Sequence, residues 1–326
     1  MHHVFSISLS RTPFLSHTRV LSLSSRPIVF SHFRRFCSDT QSMSTNGTTP
    51  AEGPGPRKLK ILMLHGYTQS GPSFNSKTKA LTKLLTRQFP PSHPVYPGGI
   101  QLLYPTAPIP LLPADIPGYT PSSDPFLAPT DAYGWWKRET GGARYAGIEK
   151  GLDTIATTIR EAGGIDGVIG FSQGACAAYF VASLLEANRE SAFALQCVKL
   201  PSEAIPYPSS FTALKQQLHH PPLKFCISYS GFYAPYDGYS AFYNPPLKTR
   251  ILHVIGSLDT VVEEHRSMAL VEASEEESRE VCYHPGGHFV PMGKEFGNVA
   301  VGFMVKCLDE KKPVVEESVE DMDVPF

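Results

Sequence analysis

The stretch on either side of Ser172 constrains the fold of this chain more than any other part of the sequence. Residues 165–171 (IDGVIGF) form an apolar run typical of a buried strand, and residues 173–186 continue as an apolar run of helical length. The two runs meet at a G-x-S-x-G motif, in which Gly170 and Gly174 flank Ser172. The stretch therefore predicts a strand that turns sharply into a helix, with Ser172 at the turn and glycines where side chains would collide.

Runs of strand length and of helix length alternate along most of the chain. The predicted strands cover residues 59–64, 100–104, 165–171, 225–229, 251–255 and 281–283, and the predicted helices cover residues 73–89, 148–162, 173–186, 263–273 and 296–307. This alternation is typical of an α/β fold with a mostly parallel, doubly wound sheet and helices on both faces. We predict a single domain over residues 58–308 with two insertions, a Pro-rich surface loop at about 105–130 and a second segment at about 188–222.

The two ends of the chain differ in composition from the middle. Residues 1–38 contain five arginines and no acidic residue among many serines, which is the composition of a mitochondrial transit segment. The alternatives are a flexible tail, or an extension upstream of a start at Met43. Residues 51–56 (AEGPGP) are typical of a linker, so residues 1–57 are predicted to lie outside the fold. Residues 309–326 are acidic and poor in apolar residues, which predicts a loose tail.

Composition argues against several classes of function. The 29 basic and 30 acidic residues leave a net charge of −1, which gives no electrostatic footprint for nucleic acid. No apolar run approaches the roughly 18 residues that a membrane-spanning helix needs. The six cysteines are widely separated, and no CxxC motif or Cys/His cluster with zinc spacing is present. Neither a disulfide scaffold nor a metal site is therefore predicted.

The serine of the G-x-S-x-G motif has the setting of a catalytic nucleophile. A strand–turn–helix context exposes its hydroxyl oxygen above the end of the sheet, and the helix N-terminus behind it favours negative charge that develops nearby. The alternative is structural, with Ser172 serving only as the N-cap of the helix. A serine hydroxyl also needs a base to take its proton, so the nucleophile interpretation requires a histidine and an acid elsewhere in the chain.

Downstream of the serine, one aspartate and one histidine follow predicted strands. Asp259 comes after the strand at 251–255, where open α/β sheets place their sites, and its alternative role is to cap the helix that follows. His288 lies in a Pro- and Gly-rich loop after the last short strand. The order Ser, acid, His is that of the α/β-hydrolases, and Asp259 would orient His288 and stabilise its imidazolium. Lower-ranked rivals are Glu263 and Glu264 for the acid, and His284, His253, His265, His219 and His220 for the base.

The turn after the first strand supplies a candidate for part of an oxyanion hole. The backbone N–H of Tyr67, after the His65-Gly66 turn, and the backbone N–H of Gln173, after the serine, are predicted to face the oxyanion. The alternative for His65 and Gly66 is a plain strand-ending turn. In either case His65 is predicted to be structural or to line the pocket, and not to act as the base.

The aromatic pair Trp135-Trp136 has two interpretations. With Tyr133 it could line an acyl pocket next to the serine. A tryptophan pair buried in the core explains the same residues equally well. Both interpretations stay open from the sequence.

Several motifs in order resemble one known family. They are LKILMLHGYTQSGPSFNSKTKAL, YGWW, GVIGFSQGACAA, ISYSGF, and ILHVIGSLDTVVE followed by YHPGGHFVP, and together they span about residues 58–307. This set resembles the eukaryotic family of serine hydrolases, an α/β-hydrolase group that includes the ovarian-cancer-associated serine hydrolase and fungal polyketide-releasing thioesterases. The resemblance implies esterase or thioesterase chemistry without a cofactor, with Ser172, Asp259 and His288 in their expected roles. It also implies a cytoplasmic, and also nuclear, location.

We therefore expect a serine hydrolase that cleaves an ester or thioester of a small acyl substrate through an acyl-enzyme on Ser172. Two rivals stay open: a catalytically silent binding protein on the same scaffold, and a serine peptidase, for which the sequence supplies no peptide-specificity element. The transit-like segment sets a mitochondrial location against the cytoplasmic one. The two predicted insertions leave the choice of substrate open, and the oligomeric state is not predicted.

Overall fold

The structure, a computed structural model, describes residues 55–116, 118, 131–139, 142 and 144–309. The strands in this part of the chain are β1 (Leu59–Leu64), β2 (Ile100–Leu103), β3 (Ile109–Pro110), β4 (Tyr133–Gly134), β5 (Lys137–Arg138), β6 (Tyr145–Ala146), β7 (Gly167–Phe171), β8 (Phe225–Tyr229), β9 (Ile251–Gly256) and β10 (Arg279–His284). The helices are α1 (Gly71–Lys77), α2 (Lys79–Gln88), α3 (Ile148–Glu161), α4 (Gln173–Leu185), α5 (Arg189–Lys199), α6 (Ser209–Leu218), α7 (Glu264–Glu272) and α8 (Lys294–Leu308), with short 3₁₀ turns at Pro113–Asp115, Asp237–Phe242 and Glu276–Ser278.

Some of the predicted segments lie outside the residues that the structure describes. The transit-like segment at 1–38, the start at Met43 and most of the linker lie outside the described residues, as do residues 119–130 of the Pro-rich stretch and residues 310–326 of the acidic tail.

The central sheet is parallel throughout, as the alternation of strands and helices predicts. Its strand order is β10-β9-β8-β7-β1-β2, and every neighbouring pair runs in the same direction. The chain leaves β1 towards β2 and then returns to β7 on the other side of β1. Leu64 pairs in register with Gly170, so the turns after β1 and after β7 leave the sheet side by side. Such a reversal of strand order is where open α/β sheets hold their ligands.

Helices cover both faces of the sheet, which confirms the doubly wound architecture. On β1, the side chains of Ile61 and Met63 pack in a cluster with α1, α2 and α8, while those of Leu62 and Leu64 pack in a second cluster with α3, α4 and α6. Because successive side chains of a strand point to opposite faces, a strand covered on both sides is apolar without interruption. That is why β1 reads as LKILML with only its lysine partly exposed.

The predicted helix at 73–89 is two helices. Thr78 ends α1 and precedes α2 with φ −99° and ψ 11°, outside the helical region. Its hydroxyl donates to the carbonyl of Phe74 at 2.9 Å and lies 2.8 Å from the hydroxyl of Tyr104. The contact with Tyr104 reaches beyond both helices, so the apolar spacing of the sequence did not reveal the break.

The two predicted insertions are built into the fold where the structure describes them. Residues 188–222, predicted as an insertion, contain α5 and α6, and Phe193, Phe211 and Leu214 of these helices are fully buried in the core. In the Pro-rich stretch, predicted as a long surface loop, β3 pairs antiparallel with β4 and Leu111 is buried. Both segments therefore add to the core as well as to the surface.

Two features of the described residues bear on function class. No helix among them is long and apolar enough to cross a bilayer. No group of three or more His, Cys, Asp or Glu side chains in this part of the chain could hold a metal ion.

A substitution in α6 tests whether residues 188–222 belong to the core. Phe211→Ala removes a fully buried ring and should lower the free energy of unfolding by about 3–5 kcal/mol. The matched control is Val198→Ala on α5, where the side chain is 79% exposed and the change should stay within about 0.5 kcal/mol. Urea unfolding at 25 °C measures both. Equal effects at the two positions would mean that α6 does not pack on the core.

Candidate active site

Ser172 occupies a sharp turn between β7 and α4. Its backbone has φ 53° and ψ −117°, a conformation that residues other than glycine rarely adopt. Hydrogen bonds hold this backbone on both sides, since its N–H donates to the carbonyl of Tyr229 at 2.8 Å and its carbonyl accepts from the N–H of Ala175 at 2.9 Å. The hydroxyl makes no capping hydrogen bond to α4. The structural alternative, a serine that only caps the helix, therefore does not fit.

Three glycines let the backbone around Ser172 approach closely. A Cβ on Gly170 would lie 2.1 Å from the carbonyl oxygen of Gly174, and a Cβ on Gly174 would lie 2.2 Å from that of Leu64. A Cβ on Gly66, in the turn after β1, would lie 2.8 Å from the Phe171 ring. Because the first two clashes are with backbone, no side-chain rotation relieves them. The glycines predicted for the elbow and the loop thus set the distance between β1, β7 and α4.

The structure brings the predicted nucleophile, base and acid into one chain of hydrogen bonds. His288 Nε2 lies 2.9 Å from Ser172 Oγ, and His288 Nδ1 lies 2.7 Å from Asp259 Oδ2. The three residues are 116 and 29 positions apart in the sequence, so the fold alone unites them. With Asp259 ionised, Nδ1 carries the proton and donates to the carboxylate, which leaves Nε2 as the acceptor that faces the serine hydroxyl.

The environment of Asp259 favours its ionised form. Burial alone would raise the pKa of this carboxyl, whose side chain is 2% exposed. Hydrogen bonds from the N–H groups of Val262 and Val261, both at 2.9 Å, and from the imidazole of His288 outweigh burial and hold the pKa below its ordinary value. Asp259 does not cap α7, because that helix begins at Glu264 with Glu263 as its N-cap.

The loop that carries His288 is fastened to the loop that carries Asp259. The N–H of Leu258 donates to the carbonyl of Gly286 at 3.0 Å, and the N–H of Ser257 donates to that of His284 at 2.9 Å. The ring of His288 also packs on Phe171, with 4.9 Å between the ring centroids. These contacts fix the distance between base and acid, although each loop follows a different strand.

The N–H groups of Tyr67 and Gln173, the two predicted oxyanion donors, have no acceptor among the residues that the structure describes. Gln173 is the first residue of α4, so its N–H has no acceptor within the helix. In the turn after β1, the N–H groups of Gly66, Thr68 and Gln69 donate to Gln69 Oε1, to the carbonyl of Tyr133 and to that of Gly66. For the N–H of Tyr67, the residues that the structure describes provide no acceptor. This leaves it available to a substrate oxygen.

The rival residues are occupied elsewhere. His284 accepts from the N–H of Gly286 through Nδ1, and Glu263 pairs with His265 at 3.3 Å on the exposed start of α7. His253 is buried inside β9, and burial lowers its pKa to about 3. The other rivals also have separate places: His220 accepts from the N–H of Ile165, just before the amino end of β7, and His219 ends α6. Glu264 accepts from the hydroxyl of Tyr283.

His65 is a structural residue of the turn after β1. Its Nδ1 donates to the carbonyl of Gly66 at 2.8 Å and its Nε2 accepts from the N–H of Ala107 at 3.0 Å. Burial lowers its pKa to about 4, so the ring stays neutral at neutral pH. Both ring nitrogens are therefore engaged in holding the backbone of the loop.

A family model and two sequence relatives point to one family. A model of the family described as "Serine hydrolase (FSH1)" matches residues 55–299. Family of serine hydrolases 3 of Saccharomyces cerevisiae is 33% identical over 249 residues, which cover 73% of this chain and 80% of that protein. Esterase OVCA2 of Danio rerio is 28% identical over 246 residues, which cover 72% of this chain and 90% of that protein. The chain belongs to the FSH1 family of serine hydrolases.

A further relative differs in length. A Schizosaccharomyces pombe protein named dihydrofolate reductase is 31% identical over 240 residues, which cover 72% of this chain but 44% of that protein. The chain thus spans less than half the length of that relative.

The fold of this FSH1 member is the α/β-hydrolase fold. The solved structure of esterase PE8 superimposes with a TM-score of 0.50 over 78% of this chain and 94% of that chain, at 17% sequence identity. The parallel sheet with helices on both faces, predicted from the sequence, is the central feature of this fold in the present chain. Membership of the family makes the chain a hydrolase enzyme, as the motifs predicted.

In this serine hydrolase, the tryptophan pair is buried in the core and supports the elbow. Trp135 and Trp136 are 0% and 3% exposed, which favours the core alternative over the predicted acyl pocket. The Trp135 N–H donates to Gln173 Oε1 at 2.8 Å, and Gln173 Nε2 donates to the Trp136 carbonyl at 2.9 Å. The Trp135 indole N–H donates to the carbonyl of His65 at 2.9 Å. One segment thus holds both predicted oxyanion loops.

This role of the Trp135–Trp136 backbone was missed by the sequence analysis. A glutamine at the first position of a helix usually points to solvent, and no local pattern links it to a segment 37 residues earlier. The order YGWW before GFSQG was the available signal, but it carries no geometry.

A substitution at the elbow tests the close approach of β7 and α4. Gly170→Ala places a Cβ 2.1 Å from a backbone oxygen, so either the turn shifts or the protein loses stability, and ester hydrolysis should fall by at least about 10²-fold because small displacements of reacting groups cost that much. The control is Gly302→Ala on the exposed side of α8, where a Cβ meets no atom within 4 Å. That change should stabilise the helix by about 0.5–1 kcal/mol. Turnover and thermal unfolding are the readouts. Normal turnover in Gly170→Ala would contradict the tight packing.

Proposed function

We propose that this FSH1 member hydrolyses an ester or thioester of a small acyl substrate through a covalent acyl-enzyme on Ser172. The observation that carries the proposal is the continuous chain from Asp259 to His288 to Ser172, with contacts of 2.7 and 2.9 Å. A serine hydroxyl becomes a competent nucleophile when a base accepts its proton, and the base needs a partner that fixes its tautomer. Both conditions are met here.

In the acylation step, His288 acts first as a base and then as an acid. Its Nε2 takes the proton of Ser172 as Oγ attacks the carbonyl carbon, and it passes that proton to the leaving alcohol or thiol. Asp259 stabilises the imidazolium that forms between the two transfers. Because hydrogen bonds hold the pKa of Asp259 low, the carboxylate keeps its charge throughout.

The negative charge of the tetrahedral intermediate falls on the former carbonyl oxygen. The N–H groups of Tyr67 and Gln173 would receive it, helped by the N-terminus of α4. Their positions are fixed in advance by the contacts of His65 with its own turn and of the Gln173 side chain with the tryptophan segment. Donors that need no rearrangement stabilise the transition state more than the ground state.

Deacylation repeats the same steps with water. His288 removes a proton from the water that attacks the acyl-enzyme, and the proton returns to Ser172 as the carboxylic acid leaves. No step calls for a cofactor. A silent binding protein on this fold would share the geometry without turnover, so a covalent probe distinguishes it from the proposed enzyme.

Loss of the nucleophile is the first test. Ser172→Ala should abolish labelling by a fluorophosphonate probe and lower turnover of p-nitrophenyl esters by at least about 10³-fold, because no other hydroxyl faces His288 Nε2 among the described residues. Ser76→Ala, at an exposed serine of α1, should label as the wild type does. Circular dichroism checks that both variants fold. A folded wild-type protein that takes no label would favour the binding protein, and labelling that persists without Ser172 would assign another nucleophile.

The acid is tested by an isosteric change. In Asp259→Asn the amide oxygen can still accept from the N–H groups of Val261 and Val262, but the amide NH₂ would face His288 Nδ1 and favour the wrong tautomer. Turnover should fall by about 10³–10⁴-fold while the protein remains folded. Glu263→Gln changes the nearest rival for the acid. Its turnover should stay within about twofold of the wild type, because Glu263 is exposed and does not contact His288. Full activity of Asp259→Asn together with loss in Glu263→Gln would reverse the assignment.

A further inference from the structure

Arg266, in the first turn of α7, is a partly buried arginine. The residues that the structure describes give it no ion pair. The two acidic residues beside it on the helix have other partners, since Glu263 pairs with His265 at 3.3 Å and Glu264 accepts from the hydroxyl of Tyr283 at 2.7 Å. A guanidinium with no carboxylate bonded to it keeps its N–H groups available to water or to an anionic ligand.

The guanidinium lies over an aromatic ring, and its N–H groups donate to no acceptor among the residues that the structure describes. Its central carbon lies 4.7 Å from the centroid of the Phe232 ring, which is a cation–π contact. Its backbone carbonyl accepts from the N–H of Tyr233 at 3.0 Å, so the start of α7 and the loop after β8 are fastened together. A guanidinium donates in its own plane, and stacking on a ring orients that plane without using its N–H groups.

The same loop lies next to the serine. The carbonyl of Tyr229 accepts from the N–H of Ser172, and Phe232 follows three residues later, within about 11 Å of chain reach. Between them, a Cβ on Gly231 would lie 3.2 Å from that of Ala175 in the first turn of α4. Phe232 and the arginine over its ring therefore lie at the carboxyl end of the parallel strands, as Ser172 does.

The charge of Arg266 also reaches the helix behind the serine. Burial raises the pKa of the Cys176 thiol, and a hydrogen bond with Tyr243 and the charge of Arg266 both act to lower it. The N–H of Cys176 donates to the carbonyl of Ser172 at 3.1 Å. The guanidinium of Arg266 therefore lies within electrostatic range of a thiol one helical turn after Ser172.

We propose that Arg266 binds an anionic group, a carboxylate or a phosphate, that the substrate carries away from the carbonyl attacked by Ser172. The inference rests on the proposed function and extends it to a substrate class. The anion has two sources: the acyl part, as in a monoester of a dicarboxylic acid, or the leaving group, as in a thioester of a phosphorylated thiol. A planar guanidinium with free edges is suited to both, because it can donate two parallel hydrogen bonds to either group.

Matched substrates test the acyl side. Mono-p-nitrophenyl adipate and p-nitrophenyl hexanoate have the same six-carbon acyl chain, and only the first ends in a carboxylate. In the wild type, kcat/KM should favour the adipate ester. Arg266→Gln should remove about 10- to 100-fold of kcat/KM for adipate, mainly through KM, and change hexanoate by less than about threefold. Arg266→Lys should restore part of the preference, since it keeps the charge but not the fork.

Matched thioesters test the leaving-group side. Hexanoyl-coenzyme A carries phosphates that hexanoyl-N-acetylcysteamine lacks, while the acyl group and the thioester are the same. A coenzyme A preference that Arg266→Gln removes would place the anion on the leaving group. The control for charge alone is Arg250→Gln. Arg250 also lies over a phenylalanine ring, at 5.9 Å from the centroid of Phe303, but it precedes β9 and so lies at the amino end of the strands, away from Ser172. It should change neither ratio.

The outcomes separate this inference from the proposed function. If the wild type hydrolyses the neutral esters and Arg266→Gln changes neither charged-to-neutral ratio, the anion site is wrong and the hydrolase stands. If Arg266→Gln and Arg266→Lys lower kcat/KM equally for all substrates and also lower the unfolding temperature, Arg266 is structural and the inference also fails. If the wild-type protein folds but hydrolyses none of the esters and takes no fluorophosphonate label, both proposals fall.

Discussion

The site depends on one strained residue that the surrounding backbone holds in place. Ser172 adopts a positive φ at the end of β7, and such a conformation persists only where neighbouring contacts enforce it. Here the enforcement comes from hydrogen bonds to Tyr229 and Ala175 and from glycine contacts that bring α4 onto β1. The packing of α4 against the sheet thereby fixes the position of Ser172 Oγ. Any change that separates β1, β7 and α4 would relax the turn before it altered the rest of the core.

How much of this was predictable depends on the range of the interaction. The elbow could be read from residues 170–174, because strand, turn and helix are all local signals. Asp259 and His288 could be named because each follows a strand, but their hydrogen bond across 29 residues could not be derived from spacing. The burial of α6, the break at Thr78 and the contact of Gln173 with Trp135 and Trp136 all depend on partners distant in sequence. Periodicity contains no information about which distant segment fills a groove.

The protonation state of each histidine ring depends on its burial and on the groups that its two nitrogens contact. Burial lowers the pKa of His65 and of His253, so both remain neutral well below pH 6, and their roles are confined to packing and to holding backbone. His288 differs in that a carboxylate faces one nitrogen and a hydroxyl faces the other, with its side chain 17% exposed. A ring placed between an acid and a nucleophile can change its charge during a reaction, whereas a ring sealed in the core cannot. The fold thus leaves one of these three rings free to cycle.

The loops at the carboxyl end of the sheet divide the work between chemistry and recognition. Those after β1, β7, β9 and β10 present the groups assigned to the reaction, and each is fixed by hydrogen bonds that leave little freedom to vary. The loop after β8 is different: the last residue of the strand, Tyr229, holds the elbow, while the loop itself presents Phe232, over which Arg266 lies. A residue stacked on that loop can change without moving the reacting atoms. Selectivity for one class of acyl compound is therefore most readily built at β8 and the start of α7, where a side chain can meet the substrate away from the scissile bond.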